Sequence, residues 1–320
     1  MRAVSRPGRA GCVRHWKGYH VKAVMAGQPI PLHQKAKSWI ETYKHHRRAA
    51  TGHVGNDISY HLELIGHLNR YVGVNVSSAR ILDLGCGQKA VQTALFHADG
   101  ATVSGIDAEI ATFSFGPRTF LRALASHGPE RAFKSLARHI LFDGAYTRDL
   151  FEKYGKPASY DGIDVRVMDA TAMAFDDATF DLVSSKAVLE HINDVPAALR
   201  EVNRVLKPGG IAIINAHLFS SLSGGHCLAW ADPDRSPPQN VAPWDHLREN
   251  RHPPGVYLNR MKLPEYRAAF DAALCVVDEA VVLEGERHLL KDIEIELAAK
   301  GYTREDLLTR EVRFIARKRQ

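Results

Sequence analysis

The stretch that most constrains the fold is Arg80-Ile-Leu-Asp-Leu-Gly-Cys-Gly-Gln-Lys-Ala-Val91. Ile81–Leu84 has the apolar character of a buried strand, and the residues from Ala90 onward have the composition of a helix. Gly85 and Gly87 lie between the two. A glycine turn in this position lets the backbone approach a ligand closely, and the unpaired amides of the helix N-terminus face the same place. The sequence therefore predicts a small polar ligand on this turn.

Two more strand-like runs end in an acid. Ala101–Asp107 lies about 20 residues after the glycines, where the second strand of a nucleotide-binding unit places a carboxylate that accepts hydrogen bonds from ribose hydroxyls. Ile163–Asp169 is an alternating strand that also ends in an acid, and Ala170 follows it. Asp107 is the predicted ribose ligand.

The rest of the chain alternates between strand-like and helix-like segments. Strands are predicted at 180–185, 211–216, 274–283 and 311–316, and helices at 59–72, 195–206, 263–272 and 289–300. In the first of these helices, Leu62, Ile65, Leu68 and Tyr71 are predicted to form the face that packs on the domain. Alternation at this spacing predicts an α/β fold with a parallel sheet and right-handed crossovers.

Two segments are too long for simple connections. Residues 108–160 are predicted to form two or three amphipathic helices, inserted near the ligand-binding edge as a lid. Residues 217–262 are irregular and rich in proline, and they follow a strand at the edge of the sheet where open α/β folds bind ligands. They are expected to shape a substrate pocket. Both segments belong to a predicted catalytic domain at 55–320.

The N-terminal segment has a different charge from the rest. Residues 1–48 contain eleven Lys and Arg residues and one acid, Glu41, whereas the remainder holds thirty-one basic and thirty-five acidic residues. Such a leader can contact nucleic acid or anionic membrane, but a charge run is more often a solvated arm. We expect residues 1–54 to be a partly disordered extension. A transit peptide and a start at Met25 remain open.

The cysteines and the hydropathy limit the class of protein. Cys12, Cys86, Cys227 and Cys275 are widely spaced and form no C-x-x-C pair, so neither a disulfide framework nor a zinc site is indicated, and no metal is expected. No apolar run approaches the roughly 20 residues needed to cross a bilayer. A cytoplasmic protein without a membrane span is expected.

Taken in order, the motifs resemble those of a known family. They are Asp83-Leu-Gly85-Cys-Gly87, Asp107, Asp169-Ala170, Asp181-Leu-Val with Leu189-Glu-His191, and Leu206-Lys-Pro-Gly-Gly210. Together they resemble the class I S-adenosylmethionine-dependent methyltransferases, particularly the type 11 group that acts on small molecules. The resemblance implies S-adenosylmethionine as cofactor. It also implies a Rossmann-like, seven-stranded, mostly parallel sheet with helices on both faces and an antiparallel last strand.

The resemblance further implies cofactor-binding roles for six residues, namely Asp83, Gly85, Gly87, Asp107, Asp169 and Ala170. The two glycines would face the methionine and ribose, while Asp83 would help hold the amino-acid end. Asp169 and the Ala170 amide would bind the adenine edge, which presents a donor beside acceptors. The family usually has a further glycine two residues past Gly87. This sequence has Lys89 there.

Methyl transfer from a sulfonium is an in-line displacement in which the protein mainly positions the acceptor and excludes water. A base is needed only when the acceptor must lose a proton. His217, just after the fifth predicted strand, is the first candidate, and His191, after the fourth, is the second. His226 and His246 lie in the irregular segment. A small-molecule acceptor methylated at oxygen is expected.

Other functions remain open on the sequence alone. Gly85-x-Gly87-x-x-Ala90 followed by Asp107 also satisfies the dinucleotide fingerprint of NAD(P)-dependent oxidoreductases, although Asp169-Ala170 argues against that class. The basic leader suggests an RNA methyltransferase, but the motifs of base methylation are absent and nucleic acid is not the expected partner. A non-catalytic module that retains the cofactor fold is a third class, and a homodimer is also left open.

Overall fold

The structure, a computed structural model, describes residues 54–109, 143–156, 160–231 and 240–319, together with single positions at 120, 121, 124, 125, 128, 129, 132, 136 and 238. The predicted basic extension lies outside the described residues, except for Val54. Most of the predicted lid, at 108–160, lies outside them too.

Seven strands form one sheet. They are β1 (Arg80–Leu84), β2 (Thr102–Asp107), β3 (Asp164–Val167), β4 (Phe180–Lys186), β5 (Leu206–His217), β6 (Leu274–Leu283) and β7 (Thr309–Lys318). Their order is β3-β2-β1-β4-β5-β7-β6, and only β7 runs antiparallel to its neighbours. The predicted Rossmann-like sheet of seven mostly parallel strands, with the last antiparallel, is confirmed.

Helices cover the sheet on both faces. Those with described bounds are α1 (54–71), α2 (Val91–Ala98), α3 (Gly144–Tyr154), α4 (Val195–Val205), α5 (Leu263–Ala273), α6 (Lys291–Ala299) and α7 (Arg304–Leu308). Among the described residues, no helix combines the length and apolar character needed to span a bilayer.

The alternation of side chains along the central strands builds two cores. In β1, Leu82 and Leu84 point into a cluster with α4 and α5, whereas Ile81 points into a cluster with α1 on the other face. Successive side chains of a strand point to opposite faces, so a strand covered by helices on both sides is apolar throughout. This explains why β1 is apolar at Ile81, Leu82 and Leu84, with Asp83 as the buried polar exception.

The packing face of α1 differs from the prediction. Leu62 is 54% exposed, whereas Ile65, Leu68 and Tyr71 pack against the core as predicted. Three buried apolar positions, Tyr60, Leu64 and Leu68, follow a four-residue spacing. At 3.6 residues per turn, each three-residue step rotates a side chain by about 60°, so the predicted series from Leu62 to Tyr71 turns through about 180°. Four-residue steps drift less and stay on one face.

The Lys207–Gly210 part of the motif that begins at Leu206 lies inside a strand. Phe180 of β4 pairs with Leu206, but Leu182 pairs with Ile211, so four residues of β5 bulge out between these pairs. Gly209 has a φ of +81°, which a glycine adopts without strain. The Lys207 amine bonds both Asp181 oxygens, at 2.9 and 2.8 Å, and holds the bulge on β4.

The segment after β5 is packed rather than loose where it is described. Phe219, Trp230 and Trp244 are buried in a third core, together with apolar side chains of α6 and α7. The indole of Trp244 donates to the Ser220 carbonyl at 3.2 Å. The segment thus forms a fixed cover beyond the carboxyl end of β5.

The antiparallel strand β7 should contribute strongly to stability through Phe314. Its ring stacks on Phe270 of α5 with centroids 4.0 Å apart, and both side chains are fully buried. Phe314→Ala should lower the free energy of unfolding by about 3–5 kcal/mol, because a large cavity replaces the ring. Urea denaturation measures this. Val282→Ala on β6, where the side chain is 51% exposed, is the control and should cost less than about 1 kcal/mol. Equal losses in the two variants would contradict this packing.

Candidate active site

The glycine turn is tied to the end of β2. The amides of Gly85 and Cys86 both donate to the Ile106 carbonyl, at 2.8 and 3.0 Å. Gly85 and Gly87 have φ angles of +74° and +68°, in the left-handed region. A Cβ on Gly85 would lie 2.1 Å from a methyl carbon of Val188, whereas one on Gly87 would meet open space. Position 85 therefore requires glycine for two reasons and position 87 for one.

Asp83 joins β1 to α2. Its carboxylate is buried, and Oδ2 accepts hydrogen bonds from the Thr93 amide at 3.0 Å and the Thr93 hydroxyl at 2.7 Å. Burial raises the pKa of Asp83 to about 6, and the two bonds from Thr93 act in the opposite direction. The residue thus has a structural partner, and its role toward the cofactor stays a prediction.

Asp107 lies beside the turn, as expected. Its Oδ2 accepts from the Gly87 amide at 2.9 Å and its Oδ1 from the Glu109 amide at 2.8 Å. Burial raises the pKa of this carboxyl, while the amides of Glu109 and Gly87 and the nearby His191 lower it. The predicted ribose ligand and the predicted glycine turn are therefore held together.

Asp169 and Ala170 follow β3 at the same edge of the sheet. The exposed Asp169 accepts at Oδ1 from the amide and hydroxyl of Thr171, both at 2.8 Å, which forms a local turn. The Met168 amide donates to the Asp107 carbonyl at 2.9 Å, so this turn begins next to the end of β2. The six predicted cofactor positions thus lie at the carboxyl ends of three adjacent strands.

Lys89, which replaces the usual family glycine, points toward the inserted helix. Its amine lies 3.9 Å from the centre of the Tyr146 ring of α3, a cation–π contact. The neighbouring Gln88 donates to a Glu109 oxygen at 2.6 Å. The side chains that follow Gly87 therefore have partners outside the turn.

A cavity of about 120 Å³ adjoins the turn. Its lining includes Gly85, Tyr60, Gln92, Ser185 and Lys186. The Ser185 hydroxyl is buried and has no hydrogen-bond partner among the described residues. The unsatisfied buried hydroxyl and the lysine share this wall with the carboxylates of Asp57 and Asp83, a lining that suits a small polar group carrying both charges.

The structure brings the two predicted bases together around a third histidine. His217 ends β5, and His191 lies in the short turn Leu189–His191 after β4. The ring of His226 lies between them, with centroids 5.2 Å from His217 and 5.1 Å from His191. Sequence reasoning placed His226 in the irregular segment but did not predict this contact, since no spacing rule connects positions 191, 217 and 226.

Electrostatics make His217 a weak base. Burial lowers its pKa to about 3, and the neighbouring His226 acts in the same direction. A proton acceptor works best when its pKa is near the working pH. His217 is therefore a neutral imidazole at pH 7 and a poor proton acceptor.

Sequence reasoning missed Glu190. This carboxyl is 1% exposed, and neither of its oxygens has a hydrogen-bond partner of good geometry among the described residues. Burial raises its pKa to about 7, while the nearby backbone amides of Glu190 and His217 act in the opposite direction. In the sequence it reads as an ordinary acid between Leu189 and His191. Only the fold shows that it lies beside His217 and His226.

Residues 128–214 match the family model described as "Methyltransferase domain". Over this stretch the chain is similar to methyltransferase domains, in line with the resemblance drawn from its motifs. The match includes Asp169, Ala170, Glu190 and His191, while the glycine turn lies upstream of it.

Curated methyltransferases resemble parts of this chain. The ubiquinone/menaquinone biosynthesis C-methyltransferase of Desulfotalea psychrophila is 38% identical over 77 residues, which are 24% of this chain and 31% of the relative. The ubiquinone biosynthesis O-methyltransferase of Parvibaculum lavamentivorans is 34% identical over 76 residues, 22% of this chain and 30% of the relative. The chain thus spans about a third of the length of these two relatives.

A solved S-adenosylmethionine-dependent methyltransferase from Mesorhizobium loti aligns with 79% of this chain and 96% of its own. It is 20% identical, with a TM-score of 0.43.

The two glycines of the turn should differ in their tolerance of alanine. Both substitutions place a side chain at positive φ, at a cost of about 1–2 kcal/mol. Gly85→Ala should lose at least about 2 kcal/mol more than Gly87→Ala, because its methyl group overlaps Val188. Thermal and urea denaturation of the pair measure the difference. Equal stability of the two variants would show that Val188 does not pack on the turn.

Asp83 should make stability depend on pH. Because its folded pKa of about 6 exceeds the unfolded value near 3.8, the native state holds the proton more tightly. The contribution of Asp83 to the free energy of unfolding is thus greatest below about pH 4. It falls by up to about 3 kcal/mol as the pH rises to about 6. Asp83→Asn should remove this fall relative to wild type, in urea denaturation at several pH values. Asp176→Asn, at an exposed position, should follow the wild-type profile. A wild-type profile in Asp83→Asn would refute this assignment.

Proposed function

We propose that this chain transfers a methyl group from S-adenosylmethionine to an oxygen of a small-molecule acceptor. One observation supports the proposal most strongly. The Gly87 amide donates a hydrogen bond to the Asp107 carboxylate, so the predicted ribose ligand lies beside a glycine turn whose backbone a ligand can approach. The methyltransferase family match supports the same chemistry. When bound, the cofactor supplies an electrophilic methyl group, and the protein supplies position and surroundings.

The proposed cofactor contacts use lone-pair positions on carboxylates that the hydrogen bonds within the protein do not take. A carboxylate offers about four lone-pair positions, of which the amides of Gly87 and Glu109 take two on Asp107. The remaining positions would accept from the ribose hydroxyls. Asp169 and the Ala170 amide, next along the sheet edge, would bind the adenine. This order places the ribose between the turn and the adenine.

The amino-acid end of the cofactor would enter the cavity beside the turn. Lys186 would pair with the cofactor carboxylate, and the unsatisfied Ser185 hydroxyl would bond the same group. Gly85 would let the cofactor lie close to the backbone. Asp83, on the cavity wall, would face the ammonium group while its Oδ2 stays bonded to Thr93.

The acceptor would lie over the histidines, under the cover formed by the described parts of 217–262. That cover is anchored on the turn after β4, because Asn259 donates to the carbonyls of Leu189 and Ile192 at 2.7 and 3.0 Å. Water exclusion and fixed positioning are the main contributions of a protein to a displacement of this kind.

Of the two predicted bases, we propose that His191 is the one that takes the proton from the acceptor. Its Nδ1 lies 2.9 Å from the Tyr257 carbonyl, which can only accept, so Nδ1 carries the hydrogen and Nε2 carries the lone pair. His191 is also exposed, unlike His217. In this proposal His217 is not the base, and its buried ring helps to position the neighbouring side chains. An oxygen acceptor suits this arrangement because a hydroxyl must lose a proton, and one of the two relatives named above is an O-methyltransferase.

Cofactor binding tests the proposal. Calorimetric titration should show S-adenosylhomocysteine binding one site per chain and no binding of NAD. Asp107→Ala should weaken S-adenosylhomocysteine binding about 10- to 100-fold, as expected for lost hydrogen bonds to a charged group. Asp164→Asn, at the amino end of β3 and away from the carboxyl edge of the sheet, should bind as wild type.

Two outcomes would contradict the proposal. Binding of NAD without S-adenosylhomocysteine would assign the site to an oxidoreductase. Salt-sensitive RNA binding that disappears when residues 1–48 are deleted, together with methylation of RNA, would assign the acceptor to nucleic acid.

A further inference from the structure

We propose that Glu190, His217 and His226 bind a first-row divalent transition-metal ion on the acceptor side of the site. Each residue offers one ligand atom, and the three atoms lie within 4.8 Å of one another. This departs from the expectation, drawn from the sequence, that the protein has no metal. The ion's use in catalysis rests on the proposed function, but the site itself does not.

The donor set fits such an ion. Two imidazoles and one carboxylate are the ligands of catalytic zinc sites and of non-haem iron centres. Zinc bonds of about 2.0–2.2 Å in a tetrahedron hold ligand atoms about 3.4 Å apart, so loading requires a contraction of at most about 1.4 Å. Magnesium and calcium prefer sites made of oxygen atoms, so nitrogen donors disfavour them.

Glu190 is the strongest sign of a ligand. Its carboxyl is 1% exposed, and neither oxygen makes a hydrogen bond of good geometry with a described residue, although the backbone amides of Glu190 and His217 lie near it. An unpaired buried carboxyl is costly, and proteins compensate it with a hydrogen bond or a cation. The backbone around it is fixed, because the Asn259 amide donates to the Glu190 carbonyl at 2.8 Å. A cation between Glu190 and the two histidines would compensate the carboxylate.

His217 is oriented as a metal ligand would be. The Ser223 hydroxyl donates its single proton to Glu284, at 2.7 Å, so it must accept from His217 Nε2 at 2.9 Å. Nε2 then carries the hydrogen, and Nδ1 carries the lone pair. Metal-bound histidines characteristically donate their other ring nitrogen to a fixed acceptor of this kind. Glu284 also accepts from the Ser223 amide at 2.7 Å, which locks the serine.

A tight loop carries His226 back over His217. A Cβ on Gly224 would lie 2.2 Å from the Leu218 carbonyl, and one on Gly225 would lie 2.5 Å from the His246 ring. His226 itself has a φ of +52°, and its amide donates to the Ser223 carbonyl at 2.9 Å. The backbone thus accepts a disfavoured conformation that brings the His226 ring to within 5.2 Å of the His217 ring.

The cluster adjoins the proposed cofactor site. Val188 packs on Gly85, and Glu190 follows it by two residues. Three protein ligands leave coordination positions open, so an acceptor oxygen could bind the ion and its hydroxyl would lose a proton more easily. Under this proposal, acceptors with metal-binding oxygens are the favoured class.

Metal titration of the untagged full-length protein tests this inference. After treatment with a chelator and dialysis, calorimetry with Zn²⁺ and visible absorption with Co²⁺ should each show one equivalent bound. Glu190→Gln keeps the shape of the side chain and His226→Ala removes a ring, and each should weaken binding at least about 100-fold. Ser223→Ala should weaken it about 10-fold through the orientation of His217. His252→Ala, half-exposed and outside the cluster, should have no effect.

The outcomes distinguish a failure of the metal site from a failure of the proposed function, and a control checks that the variant is folded. Less than one equivalent in the wild type, or wild-type affinity in both Glu190→Gln and His226→Ala, would overturn the metal site. Metal binding without any binding of S-adenosylhomocysteine would leave the metal site standing and refute the proposed function. Normal S-adenosylhomocysteine affinity and melting temperature in Glu190→Gln should show that this variant is folded, so that its loss of metal binding reports on the site.

Discussion

The hydrogen bonds between the glycine turn and β2 are the interaction on which the site depends. The Ile106 carbonyl receives two amides of the turn and the Asp107 carboxylate receives a third, so three donors fix the turn against the next strand. Parallel pairing of β1 and β2 brings these groups to the same edge. Without this link, a turn containing two glycines at positive φ would have many conformations. With it, the backbone stays open toward a ligand and the carboxylate stays beside it.

A second constraint acts around β4 and β5. Both strands end under a packed cover built from Trp244 and its neighbours, and this cover reaches back through Asn259 to the turn that carries Glu190. Polar groups are therefore buried where a plain core would be apolar. The unpaired oxygens of Glu190 and the low pKa of His217 are two consequences of this same enclosure. In the proposed function, this enclosure would hold the acceptor in front of the methyl group. The metal ion of the further proposal would lie on the acceptor side of the same site.

The sequence predicted central strands such as β4 and β5 well because most of their residues are buried between helices on both faces and include short apolar runs. Asp107 and the glycine turn were predictable for a related reason, since local chemistry and strand order together set their position. The face of α1 was predicted in part, with Leu62 wrong, because a three-residue spacing drifts around the helix. Glu190 and His226 could not be predicted, because burial without a partner is a property of the fold, and their contact joins segments far apart in sequence. Lys89 likewise finds its partner, Tyr146, on a different element.

A crystal structure of the protein with S-adenosylhomocysteine would test the central claim most directly. The account predicts the ribose hydroxyls on Asp107, the adenine beside Asp169 and Ala170, and the amino-acid end in the cavity with Lys186. The sulfur should face the side where His191 and His217 converge on His226. A ligand bound elsewhere, or one that leaves the Asp107 carboxylate without a ribose contact, would contradict it.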